Sequence, residues 1–172
     1  MTPEQTVLYG RSAGGLPVGA IIARFPDGQL VRAAFTEVPY VDVLRTSSNP
    51  DLPLTIGEYE EFGNPLKRIQ NFRELMTVSP INTLPDDGAP GVFVLTHVSL
   101  LDKQVFAYES FKWIHRLRGY RTFSESNLNQ PNGKYITIER KEAHQYRPTK
   151  LPRFRANDFA ILDAWVEGKL KW

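Results

Sequence analysis

Gly91–Val98 (GVFVLTHV) is a nearly continuous apolar run introduced by Pro90. A run of this kind lacks the polar alternation of a half-exposed strand. It is the pattern of a strand in a parallel sheet with helices on its faces. Three further runs read as strands: Thr6–Tyr9, Val31–Val38 and Tyr135–Glu139. Between them, apolar residues recur at helical spacing. Ala13–Arg24 reads as a helix with Leu16, Ala20 and Ala23 about one turn apart, and Pro17 is tolerable in its first turn. Pro65–Met76 reads as a helix too. Val105–Arg118 carries a broad apolar face of Phe106, Phe111, Trp113, Ile114 and Leu117. Ala156–Val166 closes the chain, with Asn157 as a cap and Phe159, Leu162 and Trp165 facing inward. Residues 44–66, 80–90, 120–133 and 141–155 read as loops. The alternation predicts an α/β fold with a mainly parallel sheet and flanking helices.

Composition narrows the function classes. The chain has 172 residues, 41% of them apolar and 23% charged, which suits one globular domain. Twenty-one Lys and Arg against 19 Asp and Glu leave a net charge of +2, so charge points to neither a nucleic-acid nor a membrane partner. Cysteine is absent, which excludes disulfides, thiolate metal sites and a cysteine nucleophile. No apolar run approaches the roughly 18 residues of a membrane span. The start, MTPEQTVLYG, lacks the basic-then-apolar pattern of a secretory signal. A cytoplasmic protein without metal or cofactor is the expectation.

Gly10-Arg11-Ser12-Ala13-Gly14 fits G-x-S-x-G between a strand and a helix. In that context a serine sits on a sharp, strained turn with its oxygen aimed outward, and Gly10 and Gly14 are expected to allow the close packing. The Ala13 N–H lies where it would hold an oxyanion. By itself the motif is common, and the strand and helix around it carry the argument. A serine nucleophile needs a base, and three histidines exist. His97 lies in a strand, His115 in mid-helix and His144 in a loop after the last strand. The chain order Ser, acid, His favours His144, with Asp102 as the acid. Asp102 is equally readable as the N-cap of the helix that follows it.

These residues have a family resemblance. GRSAGG, VPYVDV, PLTIGEYEEFGNP, SPINTL and GVFVLTHVSLLDKQVFAYESFKWIHRLRG resemble the prolyl oligopeptidase family, and most nearly its oligopeptidase B branch, which cuts short peptides after Arg or Lys. The likeness runs from about Gly10 to Gly119. It implies part of an α/β-hydrolase catalytic domain, normally closed by a β-propeller. It implies Ser12 as nucleophile, Asp102 as triad acid and His144 as base. It further implies that Glu58 and Glu60 read a basic side chain, through charge-assisted bonds to a guanidinium. Short peptides with basic residues are the implied partners.

Some features depart from the family pattern. Ser99 stands where the branch usually has glycine three residues before the acid, and the histidine lies in KEAHQYRP rather than a glycine-rich loop. Arg147, Arg153 and Arg155 add positive charge there, to bind a peptide carboxylate or simply to solvate the loop. Residues 1–172 would correspond to the C-terminal portion of the catalytic domain. The propeller, the first half of the sheet and a tyrosine that completes the oxyanion hole would be missing. The edge of Thr6–Tyr9 would then be unpaired and open to association. Loss of one oxyanion donor would cost about 10²–10³ in rate. Three readings follow: a serine oligopeptidase or its catalytic part, a truncated inactive fragment that binds another chain, and a small esterase-like hydrolase.

Overall fold

The computed structural model describes residues 2–120, 133–145 and 150–167. Four strands, β1 (Val7–Arg11), β2 (Ala33–Glu37), β3 (Phe93–Ser99) and β4 (Lys134–Glu139), form one sheet in the order β1-β2-β3-β4. Every pairing is parallel. The helices are α1 (Gly15–Arg24), α2 (Val43–Ser47), α3 (Thr55–Phe62), α4 (Ile69–Val78), α5 (Pro80–Thr83), α6 (Ala107–Arg118) and α7 (Leu151–Val166). The expected α/β sheet with flanking helices is therefore present.

The two inner strands are buried at every position, as the apolar run at Gly91–Val98 requires. Their side chains alternate between two cores. Ala34 and Val94 face Val18 and Ile22 of α1 and Trp113, Ile114 and Leu117 of α6. Ala33, Phe35, Phe93 and Leu95 face Leu162 of α7, where Trp165 stacks on Phe93 at 4.7 Å. Helices on both faces explain why neither inner strand needs a polar face. A third core gathers Tyr40, Val43, Leu44, Leu75 and Val105 beneath the long connection from β2 to β3. β1 and β4 are the sheet edges, and Val7, Tyr9 and Ile138 are exposed on them.

Several local expectations are corrected. Residues 44–66 are not mostly loop but contain α2 and α3. Short polar helices of this kind leave little periodic signal. The helix expected at Pro65–Met76 begins at Ile69 instead. The 80–90 loop opens with the single turn α5. α7 starts at Leu151 with a proline in its first turn, so Asn157 lies inside the helix and is not its cap. In α1 the fully buried residues are Gly15, Val18, Gly19 and Ile22, while Leu16 and Ala23 pack, partly buried, against neighbouring cores. Phe159 is exposed, although its ring meets Phe35 edge-on. The loop 120–133 and Arg147 lie almost wholly outside the described residues.

Candidate active site

The turn between β1 and α1 carries Ser12. Its φ is +52°, a left-handed conformation rare for a side chain other than glycine. Such a residue costs of order 1–2 kcal/mol and persists only where its surroundings enforce it. Those surroundings are specific. A side chain at Gly10 would collide with the Gly14 backbone and come within 2.8 Å of Val18 Cγ2. One at Gly15 would come within 2.6 Å of Pro39 Cα. Gly14 by contrast faces open space. The close packing thus comes from Gly10 and Gly15, not from Gly10 and Gly14. Across the turn the Tyr40 N–H donates to the Ser12 carbonyl at 2.9 Å. Val38, two residues before Tyr40, also has positive φ (+41°). Two strained residues therefore meet where the C-terminal ends of β1 and β2 lie side by side.

Asp102 follows β3 and is buried. One carboxylate oxygen accepts the N–H groups of Gln104 at 2.8 Å and Val105 at 3.0 Å. The other lies 2.7 Å from His144 Nδ1. The following helix starts only at Ala107, with Phe106 at its N-cap, so Asp102 closes the preceding turn and is not the helix cap. A carboxylate only accepts, so Nδ1 carries a proton, which in the neutral ring leaves the lone pair on Nε2. That is the tautomer a general base needs. No hydrogen bond joins Ser12 to His144 among the described residues. Such contacts are often long without substrate and tighten when it binds.

Ala13 helps line a small, solvent-open hollow together with Tyr40, Thr46, Leu52, Glu58 and Val105. Burial, with help from the charge of Glu61, pushes the Glu58 carboxyl up. Glu60 does not join it. Both residues lie on α3, and two residues along a helix are about 200° apart. Glu58 lines the hollow, whereas Glu60 is exposed.

The other histidines are placed elsewhere. His97 lies in β3, with Nδ1 2.9 Å from Asp158 Oδ2 and 2.9 Å from Thr137 Oγ1. His115 lies in α6 with its ring against Tyr120. Among the described residues no cluster of His, Asp or Glu is suited to a metal ion, and no helix is long and apolar enough to cross a membrane.

Residues 1–171 match the family model described as the prolyl oligopeptidase family. This chain belongs to that family. It is 38% identical over 119 residues to dipeptidyl aminopeptidase BI of Pseudoxanthomonas mexicana, covering 69% of this chain and 16% of that protein. It is 30% identical over 131 residues to protease 2 of Moraxella lacunata, covering 76% and 18%. Oligopeptidase B from Leishmania major superimposes with a TM-score of 0.76 at 30% identity, over 96% of this chain and 21% of that one. The chain thus spans about one-fifth or less of the length of these relatives. Arg11, which donates to the His144 carbonyl, and Glu37, paired with Arg11 across the β1–β2 ladder, also border this site. Arg11 was visible only as a variable position of the motif, and nothing near Glu37 marked it in one dimension.

Proposed function

We propose that this chain is the C-terminal part of a serine oligopeptidase catalytic domain, with Ser12 as nucleophile, His144 as base and Asp102 as its orienting acid. The observation that carries the reading is the Asp102–His144 pair at 2.7 Å, beside a G-x-S-x-G serine that stands on a strained turn. Ser12 Oγ adds to the scissile carbonyl carbon while its proton passes to His144 Nε2. The Asp102 carboxylate stabilises the imidazolium. The negative oxygen forms near the Ala13 N–H. The imidazolium then gives its proton to the leaving amine as the C–N bond breaks, leaving an acyl ester on Ser12. Water, deprotonated by His144, releases the acid and restores the serine.

The substrates of this reading are short peptides cut after Arg or Lys. Glu58 supports the preference: it lines the hollow, its carboxyl pKa is raised by burial and by the Glu61 charge, and a basic side chain there would supply an opposite charge. Glu60 would act from the outer side of α3. The open edge of β1 is where another strand would pair.

Labelling with a fluorophosphonate, read by intact mass, tests the reading. One adduct on the parent and none on Ser12→Ala is the expected result. Glu58→Gln should then raise KM for Arg substrates and leave neutral ones unchanged. No adduct on a protein that circular dichroism shows to be folded would favour the other reading, a non-catalytic piece that assembles with another chain.

A further inference from the structure

Among the described residues, the segment bearing His144 is tied to other parts of the fold at several points, among them an ion pair of Lys150 with Glu142 at 3.2 Å. The ring is tied to Asp102. The Ser99 hydroxyl donates to the carbonyl of Glu142. The Arg11 guanidinium donates through Nη2 to the carbonyl of His144 itself. Ser99 occupies the position where the family's oligopeptidase B branch usually has glycine, and its side chain supplies one of these ties.

Arg11 is in turn anchored. Glu37, its neighbour across the β1–β2 ladder, is 1% exposed. Its carboxylate lies 3.5 Å from Arg11 Nε. It also accepts from Arg155 Nε at 3.1 Å, Arg155 Nη2 at 3.3 Å and the Tyr9 hydroxyl at 2.9 Å. Burying a carboxylate is costly unless it is met by such partners. A guanidinium carries five N–H groups in one rigid plane, so it can hold a carboxylate on one edge and a carbonyl on another. An ammonium has no such fork.

We propose that Arg11 is a positioning residue whose guanidinium, set by Glu37, fixes the main chain of His144 against the turn that carries Ser12. The inference rests on the reading of Ser12 and His144 as nucleophile and base. Arg11 and Ser12 are adjacent in the chain, so a tie from Arg11 to the His144 carbonyl links base and nucleophile through one peptide unit. The Asp102 bond sets how the imidazole is rotated. The Arg11 bond sets where its Cα stands. With both in place, Nε2 has little freedom to drift from Ser12 Oγ, and a displacement of about 1 Å can cost about 10²-fold in rate.

The test uses the 172-residue chain with Arg11→Lys, Arg11→Met and Glu37→Gln. The fluorophosphonate rate constant is followed against pH, with KM and kcat for an Arg peptide. Both Arg11 variants should lose about 10²-fold in labelling rate, with kcat falling and KM little changed, and Glu37→Gln should lose less. Rescue by Arg11→Lys would mean that only the charge matters and would overturn the proposal. So would parental rates in Arg11→Met. If the parent itself does not label, the nucleophile–base reading fails, and the tie is then judged separately by proton NMR. The Nδ1 proton of His144, assigned by its loss in His144→Gln, should exchange with water about tenfold faster in Arg11→Met, as loss of one charge-assisted hydrogen bond implies. Unchanged exchange would overturn the tie. Should Arg11→Met fail to fold, Glu37→Gln gives the same two readouts.

Discussion

Glu109 lies on α6 with 0% exposure. Its carboxylate accepts the N–H groups of Val41 at 3.1 Å and Asp42 at 3.0 Å and the Thr46 hydroxyl at 2.9 Å. It thereby pins the segment just after Tyr40, whose N–H holds the Ser12 carbonyl. Burial raises its pKa from an ordinary 4.5 to about 7, against the pull of those three hydrogen bonds and with a push from the Asp42 charge. The raised value sets the sign. Below about pH 4.5 the proton is bound in both folded and unfolded states, and the contribution to stability is complete. Between about 4.5 and 7 the unfolded chain releases its proton while the native state keeps it, so stability falls as pH rises. The full change corresponds to about 3 kcal/mol. Glu109→Gln keeps the shape and an oxygen for the two N–H groups, and its amide can donate to Thr46. The variant should therefore gain about 3 kcal/mol relative to the parent between pH 4.5 and pH 8. Urea denaturation at several pH values and constant ionic strength measures this difference, which cancels the titration of all other groups. A parent–variant difference that does not change with pH would refute the assignment of a neutral, buried Glu109 at mid pH.

Three shorter predictions concern the turn and the pair beside it. Gly10→Ala should destabilise by about 1–3 kcal/mol, because the new methyl meets fixed backbone. Gly14→Ala, at φ −64° and with open space around it, should be neutral or stabilise by about 0.4–1 kcal/mol; denaturation midpoints that rank the two the other way would contradict the packing. Ser12→Gly should raise stability by about 1 kcal/mol while abolishing labelling, since glycine adopts φ +52° without strain. Asp102→Asn should retain its turn bonds to Gln104 and Val105 yet lower kcat by about 10⁴-fold, because an amide facing Nδ1 favours the wrong tautomer; parental kcat would remove Asp102 from the mechanism.

Residues 44–66 illustrate why part of this protein was hidden in its sequence. Their helices are short, and what holds α2 is distant: Glu109, more than 60 residues further on. Glu58 and Glu60 looked like a pair because they are close in sequence. A helix turns them to different sides, and that helix is stabilised by contacts no local pattern encodes. The same is true of Asn157, whose capping chemistry is unused because α7 begins six residues earlier. The Asp102–His144 pair, in contrast, was legible from chain order and family likeness, and the structure brings these two residues to 2.7 Å.

What the sequence determined by itself was carried by its strongest local signals. The apolar run at Gly91–Val98 demanded a covered parallel strand. The glycines around Ser12 demanded a tight strand-to-helix turn. Such signals are readable because backbone geometry repeats every two or 3.6 residues. Only the tertiary structure decided that Gly15 rather than Gly14 closes the turn, that Glu58 faces the hollow without Glu60, and that Glu37 reaches His144 through Arg11. These outcomes depend on which distant surfaces meet, and contact between residues a hundred positions apart leaves no period in the chain.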